Sequence, residues 1–123
     1  DNPIPEIDDF IKYKWKSICN DENYHIVVAK GNNKIVSTCT VIIIPNLTHN
    51  QRPYAFIENV VTSKDYRKKG YGTAVLNYAK DMAIKENCYK IMLLTGLKRE
   101  STLNFYKKAG YNCNDKTAFI MCL

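Results

Sequence analysis

No two of the five cysteines in this 123-residue chain form a CxxC or CxC pair. Cys19, Cys39, Cys88, Cys113 and Cys122 are widely spaced and odd in number, which argues against a disulfide framework. A zinc site is equally unsupported, because His25 and His49 lie far from any cysteine pair, and no metal is expected. Apolar neighbours such as Ile120, Met121 and Leu123 around Cys122 suit reduced, packed thiols in a cytoplasmic protein. Long apolar runs are also lacking. A run such as Val41–Ile44 falls far short of the ~20 residues that span a bilayer. No basic-then-apolar leader opens the chain, so no membrane partner is expected. It begins at Asp1 rather than Met, from which we expect some residues to be missing ahead of it. Without repeats, linkers or low-complexity tracts, residues 1–123 read as one domain.

What is present is an ordinary globular composition, 46% hydrophobic and 24% charged, with a net charge of +6. The charge favours an anionic partner. Its placement says more: Lys64, Arg67, Lys68 and Lys69 crowd together immediately before Gly70. That is a local anion site rather than a basic face. The aromatics fall at core spacing and no nucleic-acid motif occurs, so nucleic acid is not an expected partner.

Periodicity orders the elements. Ile7, Phe10, Ile11, Trp15, Ile18 and Cys19 recur at helical spacing from Pro5 to about Asn20. Strands are expected at Tyr24–Lys30 and Ile35–Ile44 around a Gly31–Lys34 turn, then at Tyr54–Thr62 after a polar loop from Pro45 to Pro53. A helix from about Tyr71 to Glu86 carries Val75, Leu76, Ala79, Met82 and Ala83 on one face. Lys90–Thr95 reads as an apolar strand covered on both faces. Glu100–Ala109 reads as a helix stopped by Gly110, and Thr117–Leu123 as a last strand. The fold class is α/β.

The stretch that carries chemistry runs from Phe56 to Leu76, where a strand enters a basic, glycine-punctuated turn that opens a long helix. First-turn N–H groups with the helix dipole behind them form a ready anion site. Gly70 and Gly72 would let the backbone approach a phosphate, with Arg67, Lys68 and Lys69 adding charge at the rim. The expected ligand is a pyrophosphate. A Walker loop is excluded because Lys69 precedes the glycine, and a dinucleotide fingerprint because position 75 is Val.

Arg67-Lys-Lys-Gly70-Tyr-Gly72 followed by Phe105-Tyr106-Lys-Lys-Ala-Gly110-Tyr111 resembles the two signature motifs of the GNAT acetyltransferase superfamily, in the family's order. The resemblance covers about Ile26 to Leu123. Ile57–Val61, Asn87–Ile91 and Phe105–Tyr111 look like the glucosamine-6-phosphate N-acetyltransferase branch. It implies a mixed, mostly antiparallel sheet flanked by helices, acetyl-CoA as co-substrate, and a small-molecule amine as acceptor. The backbone of Val60, Val61 and Thr62 would pair with the pantetheine arm. The N–H groups of Arg67, Lys68, Lys69, Gly70, Tyr71, Gly72 and Thr73 would hold the pyrophosphate. A backbone N–H near Val61 would meet the thioester oxygen, Tyr106 would protonate the departing thiolate, and Glu58 would act as base toward the amine. A homodimer is implied as well.

Four positions depart from the pattern. Asn59 stands where the aminosugar branch has Asp, and the stretch Thr95–Asn104 is longer than in that branch. Arg99 occupies a position at which many members use Asn on the cofactor, so Arg99 itself or Asn104 becomes the expected contact. The usual first strand has no counterpart before the Pro5 helix. A non-catalytic acyl-CoA-binding domain and an acetyltransferase of protein or peptide amines are the alternatives to a small-molecule enzyme.

Overall fold

The computed structural model describes residues 3–123. Helix α1 spans Asp9–Asn20, strand β1 Tyr24–Gly31, and strand β2 Lys34–Ile44. A single turn, α2 (Thr48–Gln51), precedes β3 (Tyr54–Thr62). Then follow a 3-10 turn at Lys64–Tyr66, helix α3 (Tyr71–Lys85), strand β4 (Ile91–Leu93) and helix α4 (Glu100–Lys108). The sheet order is β1-β2-β3-β4, antiparallel except for the parallel β3–β4 pair.

Local chemistry sets the boundaries. Helix α1 starts at Asp9 rather than Pro5 because the Asp8 carboxylate, from an extended N-cap, accepts the N–H of Ile11 at 2.9 Å. Its apolar residues recur at helical spacing, yet no residue of α1 is buried. Asn32 and Asn33 both take positive φ, 52° and 63°, and close the β1–β2 hairpin. Asparagine tolerates that region better than most side chains. The polar loop contains α2, whose His49 and Asn50 are left-handed, and His49 stacks on Tyr89 with ring centroids 3.9 Å apart.

One face of the sheet and the α3 stripe make the core. Val75, Leu76, Ala79 and Ala83 pack on Cys39, Val41, Ile43, Ala55 and Ile57. These side chains alternate along β2 and β3, so one register choice buries them together. Small Ala79 and Ala83 let α3 lie close to the sheet.

Two expectations at the C-terminal end fail. β4 is confined to Ile91–Leu93, all half-buried, because among the described residues it pairs only with β3 and its outer edge has no strand beside it. Thr117–Leu123 forms no strand, and Phe119, Ile120 and Met121 are 93%, 83% and 83% exposed. The apolar pattern was right for a strand, but a strand needs a partner edge and this segment pairs with none. Cys122 is accordingly exposed rather than packed, as are Cys19 and Cys113.

Leu76, 1% exposed at the centre of the core, is expected to lose about 2–5 kcal/mol of stability when replaced by Ala. Urea denaturation of Leu76→Ala checks this, and a loss below about 1 kcal/mol would contradict the packing described.

Candidate active site

The site begins where β3 stops pairing with β4. Their register runs Ala55↔Ile91, Phe56↔Met92 and Ile57↔Leu93 and goes no further, so residues 58–62 have no strand on that side. At the same point β3 carries a bulge. Thr40 faces Glu58 and Thr38 faces Val61, leaving Asn59 and Val60 opposite Cys39 alone. Asn59 absorbs the extra residue with φ of 54°. An asparagine inside a β-rich strand was the available signal for this bulge, and it went unread in the sequence.

Beyond Thr62 the chain makes the basic turn. Lys68 is left-handed at φ 60°, and Gly70 is left-handed at φ 89° with no neighbouring atom within 4 Å of where a Cβ would sit. Gly70 is the N-cap of α3 and carries no side chain to cap it. The first backbone bond of the helix is from the N–H of Ala74 to the Gly70 carbonyl, at 3.0 Å. Among the described residues, the N–H groups of Tyr71, Gly72 and Thr73 have no acceptor within the protein. Three unbonded donors at a helix N-terminus, beside open space, form an anion cradle.

The other residues of the turn shape this cradle. Arg67 is a brace: its Nε donates to the Thr62 carbonyl at 3.1 Å and so clamps the turn to the end of β3. Lys68 and Lys69 are exposed, and Lys69 Nζ lies 5.6 Å from the centre of the Tyr66 ring. The Tyr71 ring points away from the cradle, toward Gly31, where an added Cβ would fall 2.6 Å from its hydroxyl. Tyr66 accepts a hydrogen bond from Asn32 at 3.2 Å and meets Tyr71 edge-on. The β1–β2 turn thereby anchors the phosphate turn, a contact nothing in the sequence pattern announced. Gly72 also differs from expectation. A Cβ there would come 3.1 Å from the Phe105 ring and 3.5 Å from Thr62 Oγ1, so this glycine lets α4 approach α3.

Val60, Val61 and Thr62 lie along the opened edge. Val60 packs on the core, while Val61 is 56% exposed on the other face. Buried Ser37, not foreseen in the sequence, shares a 2.8 Å hydrogen bond with Thr62 Oγ1 and donates to the Val61 carbonyl at 3.2 Å. With Thr62 bonded to Arg67 as well, the carbonyls of Val61 and Thr62 are engaged inside the protein, and a ligand strand would find fewer acceptors there than expected.

Tyr106 and Glu58 reach this region from opposite sides. Ile57 faces the core, so Glu58 next to it faces away from α3, half-buried and opposite Thr40. Tyr106 is half-buried on the α3 face, with Phe105 and Tyr111 edge-on at 5.1 and 6.3 Å. Its hydroxyl makes no hydrogen bond among the described residues. Burial, with a smaller contribution from nearby Cys39, raises the phenol's pKa and keeps it protonated. Tyr106 lines a cavity of about 770 Å³ with Phe56, Leu93 and Leu103, and Glu58 is not among the lining residues. Asn104 is exposed on α4 next to Phe105, without a side-chain partner among the described residues.

A strand-turn-helix anion cradle thus lies next to the short parallel β3–β4 pair, and Tyr106 sits on α4, whose Phe105 packs against the start of α3. Residues 2–111 match the Acetyltransferase (GNAT) family, and the chain belongs to that family. It is similar to glucosamine 6-phosphate N-acetyltransferase of Trypanosoma brucei brucei, 30% identical over 83 residues that make up 68% of this chain and 54% of that protein. The chain spans about half the length of the curated relatives it matches. Among solved structures, a protein of Agrobacterium tumefaciens str. C58 assigned as an acetyltransferase is 40% identical with a TM-score of 0.89, over 98% of this chain and 83% of that one. The glucosamine-6-phosphate N-acetyltransferase of Arabidopsis thaliana shares the fold, with a TM-score of 0.83 at 22% identity over 98% of this chain and 82% of that one.

Buried acids around Tyr106 give the fold a pH signature. Burial pushes the Cys39 thiol up to about 11 and the Tyr111 phenol up to about 12. Below the thiol's ordinary value of 9.0 both states keep the proton and the Cys39 contribution is constant. Above it the unfolded thiol ionises while the folded one does not, so stability falls as pH rises from 9.0 through about 11. Urea midpoints measured across that window are expected to decline, and Cys39→Ala to flatten the first part of the decline.

Proposed function

We propose that this chain transfers the acetyl group of acetyl-CoA to the primary amine of a small molecule. One observation carries the proposal: the unbonded N–H groups of Tyr71, Gly72 and Thr73 beside the β3–β4 opening. They fit a diphosphate, and the left-handed, unobstructed Gly70 leaves it room. The Gly-free stretch from Glu58 to Thr62 offers an unpaired edge for an extended arm. When bound, acetyl-CoA supplies an activated acetyl thioester.

The chain's own residues would do the rest. A backbone N–H of the Val60–Val61 stretch polarises the thioester carbonyl, an effect worth about 3–4 kcal/mol per donor where water is excluded. Glu58 takes a proton from the acceptor amine, directly or through water, so that the nitrogen lone pair is free to attack. As the N–C bond forms and the C–S bond breaks, Tyr106 Oη gives its proton to sulfur. The raised pKa of that phenol supports the role, because the group stays in its acid form. A cytoplasmic setting belongs to the same proposal, supported by three exposed, unbonded thiols at Cys19, Cys113 and Cys122.

Gly70→Asp is expected to weaken CoA binding at least tenfold in calorimetry, with an unchanged circular dichroism spectrum; an unaltered Kd would contradict the cradle. Tyr106→Phe is expected to lower kcat about 10²-fold or more while KM for acetyl-CoA changes little, measured by thiol release. Equal loss in both would make Tyr106 a packing residue. Tight CoA binding with no turnover on any amine would favour a binding domain instead.

A further inference from the structure

Ser37 belongs to neither motif, yet it is 1% exposed and lies on β2 directly across from Thr62. Its hydroxyl has one proton to give. That proton goes to the Val61 carbonyl at 3.2 Å, so the 2.8 Å contact with Thr62 Oγ1 takes its proton from Thr62. A serine on the neighbouring strand thereby holds the peptide that joins Val61 to Thr62.

The direction of that peptide follows from its surroundings. Ser63 donates its N–H to the Val36 carbonyl at 2.8 Å, so the backbone of Ser63 faces β2. Along an extended strand, alternate residues turn their N–H and C=O to one side, and the residue between them turns to the other. Val61 therefore points its carbonyl at β2, where Ser37 meets it. Thr62 points its N–H the opposite way, over the edge that β4 leaves open. In a planar trans peptide these two groups are antiparallel, so a hydroxyl that fixes the carbonyl fixes the N–H as well. The carbonyl of Thr62, on the same outer side, is already taken by Arg67 Nε at 3.1 Å. What Thr62 offers at the open edge is a donor. Its Oγ1 also lies 3.5 Å from where a Cβ on Gly72 would sit, so one buried hydroxyl links the open edge to the anion cradle.

We infer that Ser37 is a positioning residue for the acyl-CoA arm: by holding the Val61 carbonyl it aims the Thr62 N–H at an amide carbonyl of an extended chain laid along β3. The inference rests on the acetyl-CoA reading for the ligand, and adds the residue that prepares the strand for it. A donor fixed before the ligand arrives need not be oriented on binding. Alanine at this position would leave the Thr62 hydroxyl without its acceptor and the Val61–Thr62 peptide free to tilt.

Calorimetry with two ligands tests this: CoA, and adenosine 3′-phosphate 5′-diphosphate, which keeps the diphosphate and lacks the arm. In Ser37→Ala the Kd for CoA is expected to rise about fivefold or more relative to that for the armless ligand. Taking the ratio within one variant cancels any loss of folded protein. Ser37→Thr restores the hydroxyl and is expected to bring the ratio back to within about twofold of the wild type. A purely packing role would make the larger side chain as harmful as the smaller one. In the wild type, the Thr62 amide resonance is expected to shift at least twice as far with CoA as with the armless ligand. An unchanged ratio in Ser37→Ala, a ratio that Ser37→Thr does not restore, or a Thr62 amide indifferent to the arm overturns the inference and leaves the acetyltransferase reading in place. If Ser37→Ala loses CoA selectively while the wild type acetylates no amine, the inference stands and the enzyme reading falls.

Discussion

Three backbone N–H groups that the protein itself leaves unbonded govern this structure. Tyr71, Gly72 and Thr73 open α3 without a capping side chain, because the N-cap is a left-handed glycine. An unpaired donor at a helix end is tolerable in water and costly when buried. The surrounding chain therefore keeps the space beyond Gly70 open and brings basic residues to it. Arg67 clamps the turn to Thr62, and Tyr66 and Tyr71 tie it to the β1–β2 hairpin, so the donors are presented from a rigid frame. Preorganisation of this kind lowers the entropic cost of holding a flexible diphosphate.

The bulge at Asn59 and the short β3–β4 ladder are the second constraint. A strand that kept pairing with β4 past Ile57 would close the edge on which a linear ligand could add. The bulge re-aims β3 so that Val60 remains in the core and Val61 turns outward. Ser37, fully buried between Val61 and Thr62, holds the re-aimed segment by two hydrogen bonds. On the other side, Phe105 fits against Gly72 and carries its neighbour Tyr106 into the hydrophobic layer, where the phenol holds its proton. Cradle, opened strand and tyrosine are coupled by packing, and none of the contacts that couple them is a motif residue paired with another motif residue except Gly72 with Phe105.

The fold itself recurs at low identity, as in the 22% identical structure from Arabidopsis thaliana. Backbone donors and an unpaired strand edge need only the right φ/ψ values and a few small residues, so most side chains are free to differ. The cavity beside Tyr106 is another matter, because side chains line it from β4, α4 and the C-terminal segment. Those are also the segments where this chain departs most from expectation.

Much of the architecture was legible in the residues. Strong periodicity marked α1, α3 and α4, the Asn32-Asn33 turn marked the first hairpin, and the glycine pattern between Lys69 and Thr73 marked the helix start. Each is a local property, decided within a few residues of backbone. The order of elements up to α4 followed from them, while the mixed sheet was implied by the family resemblance. What only the tertiary structure decided involves residues distant in sequence. Periodicity gave α1 an apolar face but could not say that only Ile11 and Ile18 of the helix would be even half-buried, and an apolar run at Thr117–Leu123 could not announce that it pairs with no edge among the described residues. Gly72 was read only as room for a phosphate, and the contact with Phe105, far along the chain, adds a packing reason for the same glycine. Tyr106 and Glu58 were given separate roles, and sequence could not say that the pleat of β3 turns Glu58 away from α3 while Tyr106 packs on the α3 side. Local sequence specifies dihedral preference and which side of an element is greasy; which surfaces meet depends on how those elements pack, and that is a property of the whole chain.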